Sequence, residues 1–253
     1  MSAPEPGTGS NLFGPQAERY AVHRPAYPLA LFHYLAVTSR QTQLAWDCAT
    51  GNGQAAIGLA TRFARVIASD ASREMIAHAP PHPRVTYREA RDDSGIASGT
   101  CDLVTVAQAL HWLDLDPFLA EVRRVLTPRG VFAAWCYALC RVAPAIDEVV
   151  DVFYRVTLGP YWPVQRRHVD DGYRSIALPL DELVAPPIVM AHEWSLMQLA
   201  SYLRTWSAVG QLRAARGDEP LLAFEDALRG EWGNPGLRRL VTFPLSFRIG
   251  YLR

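Results

Sequence analysis

The chain has no lysine. All 25 of its strong bases are arginine, and 25 acidic residues balance them, so the formal net charge is zero. Such a balance excludes the chain-wide basic surface of a nucleic-acid-binding protein, and runs such as Arg123-Arg124 or Arg166-Arg167-His168 read as solvated helix faces. Nor is there an apolar run near the ~20 residues that a membrane span needs. Residues 1–10 are rich in Pro, Gly and Ser without the basic and apolar regions of a signal peptide, which reads as a loose tail and predicts a cytoplasmic protein. Cysteine is scarce. Cys48, Cys101, Cys136 and Cys140 form no CxxC pair and lie in or beside apolar runs, the pattern of buried thiols rather than of disulfides or zinc ligands. His78 and His82 have helical metal-pair spacing, but Pro80 and Pro81 between them break a helix, so no metal is assigned.

What is present is apolar substance arranged around glycine turns. At 253 residues and 49% hydrophobic, the chain can bury the core of one α/β domain with an added cap. The organising stretch is Leu44-Ala45-Trp46-Asp47-Cys48-Ala49-Thr50-Gly51-Asn52-Gly53-Gln54-Ala55-Ala56. It reads as a buried strand, a tight turn and a helix start, with glycine allowing the backbone to bend and approach a ligand. Gly51-x-Gly53-x-x-Ala56 also fits the loose dinucleotide fingerprint, so glycine spacing leaves the nucleotide open. Asp47 discriminates: a carboxylate repels a pyrophosphate and attracts the ammonium and sulfonium of S-adenosylmethionine.

Along the chain, Phe13, Ala17, Tyr20 and Arg24 have helical spacing, and Arg24-Pro25-Ala26-Tyr27-Pro28 forces an extended kink before a helix over 29–37. This segment either packs as an N-terminal helix pair or closes as a lid, with Tyr20 and Arg24 over the ligand. A helix over 55–63 and a strand over 65–69 follow, ending at Asp70, seventeen residues after Gly53. That is near the spacing of an acid that accepts the ribose hydroxyls. Ala71 opens the next segment, and Met75 either covers an adenine face or fills ordinary core. A third strand is predicted over 84–88, a fourth over 101–107 and a fifth over 131–137 after the Pro128-Arg129-Gly130 turn. Ligands in such sheets sit beyond the strand carboxyl ends. Arg91 and Asp92, before the fourth strand, and Gln108-Ala109-Leu110-His111-Trp112, after it, thus share a rim with Asp47 and Asp70.

Taken together these residues resemble a class I S-adenosylmethionine-dependent methyltransferase. More narrowly, the chain is similar to the type 11 methyltransferase domain in the subgroup that includes trans-aconitate methyltransferases. The resemblance rests on Arg24-Pro25-Ala26-Tyr27-Pro28, the Asp47 to Gly53 loop, Asp70-Ala71-Ser72 with Met75, Asp102-Leu103-Val104, Ala107 to Trp112 and Arg124 to Gly130. It covers residues 13–137, and more weakly the rest. It implies a Rossmann-like, doubly wound seven-stranded sheet with an antiparallel last strand, which 241–252 suits. It also implies that Asp47, Ala49, Thr50, Gly51 and Gly53 hold the methionine end of the cofactor, Asp70 the ribose and Asp92 the adenine amino group. Ala49 departs from the family's first glycine, which a residue of negative φ tolerates.

A single domain over 11–253 is expected, with its core at 29–137 and 188–253 and a helical cap insertion at 138–187. A sixth strand over 188–194 and a helix over 196–209 lie in the second part. The cap's aromatics suggest an enclosed, largely apolar substrate cavity with a few polar anchors. Its candidate lining is Tyr20, Arg24, His111, Trp112, Tyr137 and Trp162, with His111 as the candidate base for a hydroxyl or amine acceptor and no base needed for a carboxylate. No Asn-Pro-Pro-Tyr-type motif follows the fourth strand, so the acceptor is expected to be a small molecule and not nucleic acid. A nicotinamide-dependent oxidoreductase, sharing the strand, glycine turn and acid, and a catalytically silent cofactor-binding module are the alternative readings.

Overall fold

A computed structural model describes residues 24–91 and 93–253. Five parallel strands, β1 (Leu44–Cys48), β2 (Arg65–Asp70), β3 (Val85–Glu89), β4 (Cys101–Ala107) and β5 (Leu126–Tyr137), form the first part of a mixed eight-stranded sheet. β6 (Leu180–Glu182), β7 (Val189–Trp194) and β8 (Arg239–Leu252) complete it in the order β3-β2-β1-β4-β5-β8-β6, with β7 also paired to β8. β8 alone runs against its neighbours. The sheet grows outward in both directions from β1 and β4, so their carboxyl ends mark the switch point at which sheets of this kind bind ligands.

Both faces of the central strands are buried because β1, β4 and β5 carry apolar residues at most positions, on both faces. Along β5, Phe132, Ala134 and Cys136 face one layer with Trp46, Val104 and Phe118, while Val131, Ala133 and Trp135 face the other with Ala45, Leu59 and Phe63. Helices α1 (Leu29–Ser39) and α2 (Gln54–Ala60) cover the second face; α4 (Leu115–Val125), which follows the short α3 (Arg73–Ala77), covers the first. Burying a Leu or Phe in these layers contributes about 1.5–3 kcal/mol each.

A third apolar cluster joins α5 (Pro144–Val152) and the π-turn after it to α7 (Leu196–Leu203), α8 (Ser207–Arg216) and α9 (Glu219–Trp232). Phe153 stacks on Phe224 with ring centroids 3.8 Å apart. Residues from 138–158 and 190–243 thus share one core beside the sheet. The short helix α6 (Arg166–Asp170) sits near the turn that follows β4.

Three expectations are corrected. The sheet has eight strands, not seven, because the 14-residue β8 is long enough for two partners on different halves: residues 239–244 pair with β7 and 250–252 with β6. The strand expected sixth is therefore β7, and the sixth is a three-residue ladder too short to show a period. β5 starts at Leu126 rather than 131, since Leu126 pairs with Cys101 before the ladder shifts to Leu103 and Val131; residues 127–130 make the irregularity, around a proline with no N–H for the ladder. The helix over 196–209 is broken into α7 and α8: Thr205 Oγ1 donates to the Tyr202 carbonyl at 2.6 Å, and Trp206 turns extended (φ −66°, ψ 134°) to bury its indole.

Candidate active site

The loop after β1 is built by left-handed residues at three alternate positions. Ala49, Gly51 and Gly53 have φ of 53°, 60° and 81°. The condition for tolerance at Ala49, a negative φ, is not met: an L side chain at this φ costs roughly 1–2 kcal/mol, so the alanine is a strained stand-in for glycine. At Gly53 an added Cβ would overlap the Tyr87 hydroxyl, which reaches in from β3 to the Pro80 carbonyl. Met75 is buried with its methyl over the turn, 3.2 Å from where a Gly51 Cβ would sit.

Asp47 is fully buried at the end of β1. Thr50 Oγ1 donates to it at 2.5 Å and Thr105 Oγ1, from the adjacent β4, at 2.8 Å. Burial still pushes its carboxyl up to about 6, because two hydroxyls do not replace a hydration shell and the Asp70 carboxylate adds repulsion. Asp70 ends β2 with Oδ2 accepting from Gly51 N and Oδ1 from Ser72 N, both at 2.8 Å. Those bonds fix the carboxylate against the glycine turn and leave lone pairs free for a diol. Its pKa too is raised, by burial. Two desolvated carboxylates around a glycine-lined turn suit the cationic methionine end and the ribose of S-adenosylmethionine; a pyrophosphate there meets like charge. Ala71 is half-buried just beyond Asp70, and Arg91 is exposed. Tyr20 and Asp92 lie outside the described residues, as does the expected lid except for residues 24–28.

A second cluster of expected site residues is built from the ends of β4 and β5. Gln108, at φ 58°, donates from N to the Trp135 carbonyl at 2.9 Å and from Nε2 to the Tyr137 carbonyl at 3.1 Å, tying the two strand ends together. His111 and Trp112 follow in a 3-10 turn with ring centroids 4.8 Å apart. His111 Nδ1 lies 3.1 Å from the Tyr173 hydroxyl. Burial pushes the imidazole down to about 3, and the Arg166 and His168 charges reinforce this, so it is neutral at physiological pH. Arg248 of β8 holds the Tyr173 loop, donating to the Tyr173 and Ile176 carbonyls at 2.6 and 2.8 Å.

Arg24 Nη1 donates to the Tyr137 hydroxyl at 3.3 Å, and its guanidinium lies 5.6 Å from the Tyr202 ring centroid. Tyr202 packs on Trp206 and Trp206 on Trp162, at 5.9 and 5.7 Å between centroids, so an aromatic belt runs from Arg24 to Trp162. The structure thus gathers Arg24, Tyr137 and Trp162 around shared aromatic neighbours, and Asp47, Gly51, Gly53, Asp70 and Met75 around the glycine turn. Thr105, Tyr173, Tyr202 and Arg248 carry no motif that marks them; only the strand pairing and the packing of distant segments bring them here. Arg166 corrects its solvated reading: its side chain is only 18% exposed, whereas its neighbour Arg167 faces solvent.

Comparisons with known proteins agree with this geometry. Residues 46–134 match the family described as a methyltransferase domain. A Dictyostelium discoideum protein named as a methyltransferase is 30% identical over 230 residues, covering 89% of this chain and 88% of that one. A methyltransferase of Aspergillus candidus is 27% identical over 211 residues, 73% of this chain and 64% of its own length. A solved structure from Anaeromyxobacter dehalogenans, named as a type II methyltransferase, superposes with a TM-score of 0.85 at 45% identity, covering 90% of this chain and 97% of that one. The chain belongs to the class I S-adenosylmethionine-dependent methyltransferases, and S-adenosylmethionine is its cofactor. The nicotinamide-dependent reading is set aside.

Proposed function

We propose that the protein methylates a carboxylate oxygen of a small molecule, as the similarity of its N-terminal motif to trans-aconitate methyltransferases suggests. The observation that carries this reading is His111, buried near the Arg166 charge and 3.1 Å from the Tyr173 hydroxyl, with its pKa pushed down to about 3. An imidazole so weakly basic is a poor general base for a hydroxyl, since proton transfer favours a pKa near the working pH. A carboxylate needs none, being ionised at neutral pH. When bound, S-adenosylmethionine supplies a methyl carbon already activated by sulfonium; the C–O bond forms as C–S breaks, the electron pair stays on sulfur, and no proton moves.

The chain's residues are then left to bind, orient and exclude water. Asp47, Ala49, Thr50, Gly51 and Gly53 hold the methionine end, and Asp70, Ala71, Met75, Arg91, Asp92 and Gln108 the remainder of the cofactor site. Arg24, steadied by Tyr137 and Tyr202, orients the acceptor carboxylate, with Trp112, Tyr137 and Trp162 as walls. His111 contributes a neutral hydrogen bond through Nε2, its Nδ1 being occupied by Tyr173. The test is a panel of small carboxylic and hydroxylated acids with S-adenosylmethionine, read by mass spectrometry for methyl esters against methyl ethers. Ester formation with a rate flat from about pH 6 to 9, and a His111→Ala loss under about 10-fold in kcat, is expected. Ether formation with a loss of 10²-fold or more refutes the reading.

A further inference from the structure

Arg166 is built as a binding group. Its Nε donates to the Tyr154 hydroxyl at 2.7 Å, and that hydroxyl donates to Asp170 Oδ1 at 2.5 Å. Its guanidinium carbon stands 4.8 Å from the Trp162 ring centroid and 5.3 Å from that of Tyr154. Trp162 is itself fixed, donating from Nε1 to the Tyr154 carbonyl at 3.0 Å. Two rings and one hydrogen bond therefore hold a planar cation in place. Among the described residues neither Nη1 nor Nη2 has a hydrogen-bond partner, although the side chain is only 18% exposed. Asp170 Oδ1, 3.4 Å away, meets only the Nε edge and is itself engaged by Tyr154. A guanidinium held flat by two rings, with an Nη pair that reaches solvent without a partner among the described residues, is the donor set for bidentate capture of a carboxylate.

Its position ties it to the acceptor site. Trp162, against which Arg166 stacks, ends the aromatic belt that begins at Tyr202 beneath Arg24. Two arginines thus stand at opposite ends of one belt, and α6, which Arg166 opens, packs near the turn carrying His111. Nearby carboxylates are Asp170 and Asp171; the latter accepts from Ser175 N.

We propose that Arg166 is a second anion-binding residue of the acceptor site, capturing a carboxylate that is not methylated, so that the protein selects acceptors bearing two separated anionic groups. The inference rests on the carboxylate reading above and adds the second charge. A neutral terminus at this end displaces water from the Nη groups without replacing its hydrogen bonds, which discriminates against it.

The experiment is calorimetry on the full chain complexed with S-adenosylhomocysteine, titrated with succinate, glutarate, adipate and pimelate and with the monomethyl ester of each. At least one diacid is expected to bind about 10-fold or more tightly than its monoester. Arg166→Gln should erase that preference while changing monoester affinity by no more than about 3-fold, with Arg166→Lys recovering part of it. Tyr154→Phe, which removes the hydroxyl that holds Nε but keeps the ring, should lower the preference about 3-fold or more and serves if Arg166→Gln folds poorly. Equal binding of diacid and monoester, or a preference untouched by these variants, overturns the role of Arg166 and leaves the carboxylate reading standing. If neither series binds and no methyl ester forms, both fall.

Discussion

Replacing Asp47 by Asn isolates the cost of a buried charge held for the cofactor. The carboxyl titrates near 3.8 in an open chain and about 6 in the folded one. A group whose folded pKa is raised favours the native state while protonated, and its contribution is lost as pH rises from the unfolded to the folded value. Across pH 4 to 6 the free protein should therefore lose about 3 kcal/mol at this residue, roughly 1.4 kcal/mol per pH unit, with no further loss above that window. Asn keeps the shape, accepts from one of the hydroxyls of Thr50 and Thr105, and does not titrate. Denaturant unfolding of both proteins at closely spaced pH values removes contributions common to the two. The stability of wild type minus variant should fall by about 3 kcal/mol between pH 4 and 6 and then stay level. Calorimetry with S-adenosylhomocysteine should show the variant binding about 10-fold or more weakly at pH 7.5, where the native carboxylate is charged. A difference that is flat, or that rises with pH, would refute the claim that Asp47 is a desolvated carboxylate with no cationic partner among the described residues.

Two further predictions concern the same loop. Ala49→Gly relieves an L residue at φ 53° and gives back chain entropy, so a net gain of up to about 1 kcal/mol is expected as a higher urea midpoint at unchanged slope; a loss of stability would contradict the strain. Gly53→Ala places a methyl against the Tyr87 hydroxyl at φ 81° and should cost about 2–4 kcal/mol. Combined with Tyr87→Ala it should cost less than the sum of the single changes, and additivity would show that the two do not touch.

The sequence by itself determined the framework and the cofactor class. β1 and β4 are short runs buried at nearly every residue, which only a two-sided sheet can accommodate, and an acid followed by a glycine turn declares a ligand because both are costly without one. Asp70 is legible for a related reason: local spacing alone brings it to the end of β2. Tertiary structure decided the rest. The division of β8 between β6 and β7, the break at Thr205 and the φ of Ala49 depend on partners far along the chain, which no local period encodes. Arg166 makes the point most directly. In the sequence it is one of three consecutive basic residues; in the fold, Tyr154, Trp162 and Asp170 pack against its guanidinium and cover most of it. Desolvation is a property of the surroundings, and the surroundings of a side chain exist only once distant segments have packed.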